Sequence, residues 1–210
     1  MLPVVNKVVI VNSESIKNLQ EAQQLVEIHH FVSPDTYTIG VVVAYDSQFC
    51  MVKGIDPDGK INGLLLINRA DIYNIETQSD YLWALNVRIK LAQIEGYYDI
   101  WKVDALISKI DLTQINFLWT FLQSAFQQRQ VLTIGFTDDA QLDATVTGYI
   151  KQLDHEDVQV NYVDDYDLSS LWTLTCRLEQ INYLRLSSFQ THEYAALMRT
   201  IFNEQVRGEY

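Results

Sequence analysis

The side chains that most often carry catalysis are sparse in this 210-residue chain. The four histidines are His29, His30, His155 and His192. No two of them have the helical spacing of a metal site, and no serine stands in a G-x-S-x-G motif. Cys50 and Cys176 lie far apart, and neither belongs to a C-x-x-C pair, which favours buried free thiols. We therefore predict that the protein is not an enzyme, has no catalytic or metal-binding residues and uses no cofactor.

Carboxylates are concentrated in one segment, where they offer the best candidate for cation binding. Between Asp138 and Asp167 there are nine acidic residues and a single base, Lys151. The groups Glu156–Asp157 and Asp164–Asp165–Asp167 would bind a divalent cation if their loops converged. Acidic turns are common without a metal, so a solvated acidic surface is the favoured interpretation.

The overall charge also bears on partners. Fifteen basic residues against 27 acidic residues give a net charge of −12. Affinity for nucleic acid depends largely on lysine and arginine contacts with phosphates, so we expect no nucleic-acid partner. The longest apolar runs, such as residues 64–67, are too short to cross a bilayer, and the N-terminus does not read as a signal peptide. These features predict a cytoplasmic protein with no membrane association.

The stretch KGIDPDGKING (53–63) resembles a phosphate or metal loop at first sight. A calcium loop needs more carboxylates and a closing glutamate, and a Walker loop needs Ser or Thr after Gly-Lys. Pro57 presets φ in a tight turn, Asp56 and Asp58 can brace its backbone, and Gly59 accepts a positive φ. The sequence therefore predicts a turn without chemistry.

The elements that would position these residues occur twice. Residues 38–55 align with residues 146–163, so that Gly40 matches Gly148 and Asp46 matches Asp154. We predict an internal duplication. The first domain covers residues 1–95, the second covers residues 111–210, and a packed connection with three aromatic side chains covers residues 96–110. Those side chains are Tyr97, Tyr98 and Trp101.

Each copy is predicted to contain a helix, five strands and a closing helix. Asn12 or Ser13 would cap the first helix, and Asp111 or Thr113 its counterpart. The counterpart's buried stripe is predicted to be Ile115, Leu118, Trp119, Leu122 and Phe126. The predicted strands are 26–32, 37–45, 49–55, 63–68 and 72–77, then 131–136, 144–153, 158–163, 172–177 and 181–186. The closing helices are predicted near 79–95 and 191–206.

These motifs resemble the Sm-like family. Its first motif has a glycine in the second strand and an aspartate six positions later, as in Gly40/Asp46 and Gly148/Asp154. Its second motif, roughly Ile-Arg-Gly-x-x-Ile, has INRADI (67–72) and CRLEQI (176–181) in its place. The resemblance implies an α+β, mainly β fold: two tandem five-stranded Sm-like or SH3-like small barrels, each with flanking helices.

The resemblance also implies where RNA would bind. Family members use a polar residue after the first-motif aspartate and an arginine–glycine pair in the second motif. This chain has Cys50 and Val158 near the first position, and Arg69 and Arg177 at the second, with Leu178 replacing the glycine. Only Arg177 matches in kind, so we expect the nucleotide pocket to be lost.

We therefore expect a non-catalytic protein that acts through protein–protein contacts, as an adaptor or regulatory module. The alternative is an RNA-binding protein that uses an unusual surface around Arg69, Arg88 and Lys90. The candidate binding residues are Arg69, Arg177, Tyr97, Tyr98 and Trp101. Sm-like proteins commonly form rings, but here the closing helices should pack against the barrels and join the two copies into one unit, so we expect a monomer or homodimer.

Overall fold

The structure is a computed structural model that describes residues 7–9, 12–30, 37–112, 116–138, 140, 142–204 and 206, with backbone only for 7–9. The chain separates into two compact units, Met1–Thr113 and Gln114–Tyr210. No helix in these described residues is long and apolar enough to cross a lipid bilayer.

The first unit is a six-stranded antiparallel sheet with three helices. Its elements are β1 Lys7–Val9, α1 Ser13–Ala22, β2 Leu25–His30, β3 Tyr37–Tyr45, β4 Phe49–Ile55, β5 Ile61–Asn68, β6 Ile72–Gln78, α2 Asp80–Ile94 and α3 Val103–Ile107. The strand order is β1-β6-β2-β3-β4-β5. Strands β4 and β5 are buried along almost their whole length, which explains their nearly unbroken apolar sequence.

The second unit repeats this order of elements without counterparts of β1 and α3 in the described residues. Its elements are α4 Phe117–Gln128, β7 Val131–Thr137, β8 Asp143–Leu153, β9 Asp157–Asp164, β10 Asp167–Arg177, β11 Ile181–Leu186 and α5 Phe189–Phe202. The strand order is β11-β7-β8-β9-β10. One part of its core packs α5 against the sheet through Val131, Tyr149, Val163, Ala195 and Met198.

The predicted pair of five-stranded small barrels is wrong, because the strands form an open antiparallel sheet. In the first unit a 3₁₀ turn, Arg69–Asp71, carries the chain from β5 to β6, which pairs with β2 and β1 instead of β5. In the second unit the turn Leu178–Gln180 leads from β10 to β11, which pairs with β7. Closure needs pairing between these consecutive strands, and the described pairings within each unit do not include it.

Two glycines sit where neighbouring strands approach most closely. A Cβ atom on Gly40 would lie 2.3 Å from the carbonyl oxygen of Lys53 in β4. A Cβ atom on Gly148 would lie 2.0 Å from the carbonyl oxygen of Asn161 in β9. Both β3 and β8 also contain a register irregularity a few residues further on. Glycine therefore permits the same close crossing in both units.

The helix predictions succeed in part. Asn12 caps α1 and accepts a hydrogen bond from the Ser15 N–H, as one of the two predicted alternatives. The predicted cap Asp111 is wrong, since Asn116 caps α4, and the other candidate, Thr113, lies outside the described residues.

The predicted apolar stripe of α4 is correct at Leu122 but is otherwise out of register. The buried residues are Phe117, Phe121, Leu122 and Ala125. Phe126 is 38% exposed, and Ile115 lies outside the described residues. The helix is apolar on several faces, so spacing alone did not select the face that packs.

The closing helices begin at serine caps, Ser79 for α2 and Ser188 for α5. Among the apolar residues of these helices, Leu82, Leu85 and Met198 are buried. Two others point outward, because Trp83 is 59% exposed and Ile201 is 39% exposed.

Candidate functional site

The first-motif aspartate organises the turn between β3 and β4. Asp46 Oδ1 accepts hydrogen bonds from the backbone N–H groups of Gln48 (2.8 Å) and Phe49 (2.6 Å). Arg69 donates through one guanidinium nitrogen to the Asp46 carbonyl (2.7 Å) and through another to Ser13 Oγ (2.7 Å). Arg69 therefore ties this turn to α1, and a role in holding the structure together accounts for its contacts.

The equivalent turn in the second unit has the same backbone geometry. Asp154 Oδ1 accepts from the N–H groups of Glu156 (3.0 Å) and Asp157 (2.8 Å). These hydrogen bonds hold the pKa of the Asp154 carboxyl below its usual range. Arg177 is exposed and forms an ion pair with Glu179 at 3.3 Å. The two predicted arginines thus occupy different environments.

The cysteines are free and buried, as predicted. Burial raises the pKa of the Cys50 thiol to about 12 and that of Cys176 to about 12. Both thiols are thus protonated near neutral pH, and the thiolate is the form that attacks substrates or binds metals. Val158, at the position corresponding to the first RNA contact, is fully buried as well.

The aromatic residues of the connection pack against the first unit. The Ile61 N–H donates to the Tyr98 carbonyl at 2.8 Å. Lys53 Nζ lies 5.9 Å from the centre of the Tyr98 ring and 2.8 Å from Asp104 Oδ1 in α3. Tyr97, Tyr98 and Trp101 are all half-buried. The contacts of Tyr98 anchor the connection, and each of the three aromatic side chains exposes only part of its surface to a partner.

The DPDG segment is a turn, as predicted. The Gly59 N–H donates to the Asp56 carbonyl at 3.0 Å, and Gly59 has a φ of +86°. Asp56 Oδ1 accepts from the N–H groups of Asp58 (2.9 Å) and Lys60 (3.0 Å). The carboxylate that would bind a ligand is thus used to brace the backbone.

The acidic residues of the second unit are likewise used locally. Asp164 Oδ1 accepts from the Tyr166 N–H at 2.9 Å, and Asp167 Oδ1 accepts from the Ser169 N–H at 3.0 Å. Tyr194 donates its hydroxyl to Asp165 Oδ2 at 2.9 Å. Burial and this bond to a carboxylate raise the pKa of Tyr194 to about 12. The carboxylates of these loops therefore already accept hydrogen bonds from backbone N–H groups and from the Tyr194 hydroxyl.

Strand β10 is an edge strand of the second unit in the described strand order. It is eleven residues long, stands last in the strand order and pairs with β9. Most of its side chains are exposed or half-buried, including Leu168 and Trp172, each 43% exposed. Tyr166, in the turn before it, is fully exposed. An edge of this kind offers a row of N–H and C=O groups for pairing with another chain.

A further cluster, which the sequence did not reveal, lies on one face of β2 and β6. His29 Nε2 is 3.0 Å from Glu27 Oε1 and 3.8 Å from Glu76 Oε1. The three ligand atoms lie within 4.8 Å of one another. Glu27 and His29 are two residues apart on a strand, so they share a face, and this alternation was the only available signal. Glu76 joins them through strand pairing with Glu27.

No protein-family model, curated protein or solved structure matches this chain. The resemblance to the Sm-like family therefore stays a prediction. Function has to be inferred from the contacts and exposed surfaces of the two units.

Proposed function

We propose that this protein is a non-catalytic binding module that acts through protein–protein contacts, by pairing an extended segment of a partner protein with β10. The edge position of β10 is the observation that carries the proposal. In strand addition the backbone groups of the edge supply affinity, and alternate side chains supply specificity.

The side chains around β10 define the chemistry of the partner segment. Leu168 and Trp172 offer apolar surface, and the turn before the strand carries Asp164, Asp165 and Asp167. Opposite charges on neighbouring strands stabilise pairing, whereas like charges oppose it. The partner is thus an extended segment with aromatic or β-branched residues along one face and basic residues at one end.

The state of the thiols supports binding over catalysis. Cys50 and Cys176 are protonated near neutral pH, so neither is a competent nucleophile. The acidic residues of the second unit already accept bonds from their own turns. Free cysteines also suit a reducing compartment, which supports a cytoplasmic location. The proposal includes a monomeric or homodimeric state.

The two units are proposed to descend from one duplicated ancestor. Gly40 and Gly148 make the same close approach to a neighbouring strand. The helices before β2 and β7 both end in a left-handed residue, Gln23 and Arg129. The turns at Asp46 and Asp154 match bond for bond. A relationship to the Sm-like family is part of this proposal, because Gly40/Asp46 and Gly148/Asp154 match the spacing of that family's first motif.

Selection of binding peptides provides the test. A random twelve-residue peptide library would be selected against the full chain, and binders would be measured by fluorescence polarisation. Trp172→Lys should weaken them by about tenfold or more, since exposed aromatic anchors commonly dominate such interfaces. Trp83→Lys is the matched control, because Trp83 is exposed on a helix of the other unit. It should change affinity by less than about twofold.

Hydrogen exchange would locate the contact. A bound peptide should protect backbone amides of β10. Protection confined to another surface, or equal loss of binding in both tryptophan variants, would overturn the proposal. Light scattering of the free protein would show whether a second copy already occupies the edge. In a parallel titration, uridine- and adenine-rich RNA oligomers would be tested against the same protein. Sub-micromolar binding there would favour the RNA-binding alternative.

A further inference from the structure

The cluster formed by Glu27, His29 and Glu76 combines three potential ligands on neighbouring strands. Glu27 pairs with Glu76 and His29 pairs with Asn74 across β2 and β6, so the backbone fixes their spacing. The side chains of Glu27 and His29 are each 13% exposed, and that of Glu76 is 17% exposed. A site held by two paired strands is better preorganised than one built on loops.

The charges of the cluster are unbalanced. Two carboxylates lie beside a single imidazole, which supplies at most one positive charge. A divalent cation would compensate both carboxylates and leave the imidazole neutral, which is the form that binds metals.

Asn74 provides a second and independent indication of a ligand. Its Oδ1 atom is buried and has no hydrogen-bond partner among the described residues. Its Nδ2 atom lies 3.5 Å from Glu76 Oε1, which places the amide at the edge of the cluster. A buried carbonyl oxygen without a partner is costly unless a ligand or water satisfies it.

We propose that Glu27, His29 and Glu76 bind one divalent transition-metal ion, next to the amide of Asn74. Tetrahedral zinc with bonds of about 2.0–2.2 Å separates its ligand atoms by about 3.4 Å. The distances of 3.0 and 3.8 Å from His29 Nε2 to the two carboxylates bracket that value.

The ligand types indicate which metals fit. Calcium requires six to eight oxygen ligands, and magnesium retains several waters in near-octahedral geometry. An imidazole nitrogen with two carboxylates suits Zn²⁺ or another first-row transition metal. Tyr37 and Tyr73 flank the imidazole, with ring centres 5.6 Å and 6.0 Å from that of His29. These rings would restrict water and fix the orientation of the histidine ring.

The residues of the second unit that correspond to this cluster indicate how many metal ions one chain can bind. Val26 pairs with Gly40 and Leu132 pairs with Gly148, so Glu27 corresponds to Thr133 and His29 to Gly135. Arg185, the strand partner of Thr133, stands where the first unit has Glu76. Threonine, glycine and arginine cannot reproduce the ligand set. One ion per chain is therefore expected.

Calorimetric titration of the full chain with Zn²⁺ near neutral pH tests the site. The unmodified protein should bind one ion, with much weaker binding of Ca²⁺. His29→Gln and Glu76→Gln should each weaken Zn²⁺ binding by about tenfold or more. His155→Gln is the matched control, because the His155 ring stacks on Trp119 in the other unit. It should leave the affinity within about twofold of the unmodified protein.

Nuclear magnetic resonance of the histidine ring nitrogens gives a readout that needs no variant to fold. One equivalent of Zn²⁺ should shift the ring resonances of His29 and leave those of His155 and His192 in place. A protonated His29 that merely bridges two carboxylates would give no such shift. Absence of Zn²⁺ binding, or binding that follows His155 or His192, would overturn the proposal.

Discussion

Replacing Gly148 with alanine should destabilise the second unit through a clash that side-chain rotation cannot relieve. The new Cβ atom would lie 2.0 Å from the carbonyl oxygen of Asn161 and 2.8 Å from its carbonyl carbon. Real Cβ atoms do not approach backbone this closely, so β8 and β9 must separate. Overpacking costs about 1–3 kcal/mol, and a weakened ladder hydrogen bond adds about 1 kcal/mol.

The expected loss is therefore about 2–4 kcal/mol in the free energy of unfolding, slightly offset by the lower chain entropy of alanine. Urea denaturation followed by tryptophan fluorescence would measure it, with circular dichroism as a second probe because two units can unfold in separate steps. Gly96→Ala is the control, since a Cβ atom there meets nothing within 4 Å and only its φ of +78° is unfavourable. That change should cost about 1 kcal/mol.

The outcome for Gly40 sharpens the test. Its Cβ atom would lie 2.3 Å from the Lys53 carbonyl oxygen, so Gly40→Ala should destabilise the first unit to a similar extent. If Gly148→Ala and Gly40→Ala both cost less than the Gly96→Ala control, the close approach of the strands does not limit these positions. The close approach at Gly40 and Gly148 would then not explain why glycine occupies these positions in both units.

The two motif arginines should differ in their contribution to stability. Arg69→Ala removes bonds that tie a turn to α1 and should cost about 1–2 kcal/mol, whereas Arg177→Ala removes an exposed ion pair and should cost less than about 0.5 kcal/mol. If urea denaturation gave the same loss of unfolding free energy for both variants, the difference between the environments of Arg69 and Arg177 would be contradicted. Asp154 should contribute to acid unfolding, because its folded pKa is depressed. Its contribution is complete above the unfolded pKa and is lost as pH falls through the folded value, so Asp154→Asn should flatten the acid limb of the stability curve. An unchanged acid limb would show that its two backbone bonds add nothing.

Local pattern was sufficient to predict most strands. The ranges predicted for β3 and β4, Tyr37–Tyr45 and Phe49–Ile55, match the structure at both ends. Each is an apolar, β-branched run that stops at polar turn residues such as Asp46. The bounds of β10 were harder, since its first half is polar and exposed, and the structure begins it at Asp167 instead of Trp172.

Contacts between residues far apart in the chain could not be predicted from local sequence pattern. Whether β5 pairs with β6 depends on where the chain goes after the turn at Arg69, and no residue there encodes the choice. The cluster around His29 was missed for the same reason, because Glu76 lies far along the chain and only the register of β2 and β6 brings it close. Spacing within one strand identified two of the three ligands at most.

The register break in β10 has a consequence for protein solubility. Pairing of β10 with β9 is regular from Trp172 to Arg177, but its register shifts between Asp167 and Trp172. Bulges and charged residues on open edges hinder endless stacking of identical strands into fibrils. Only a short regular segment remains, with Arg177 at one end and the acidic turn near the other. Two copies can meet there, but the break disfavours growth into amyloid-like stacks. Acidification would neutralise the carboxylates and so remove the part of this protection that depends on charge.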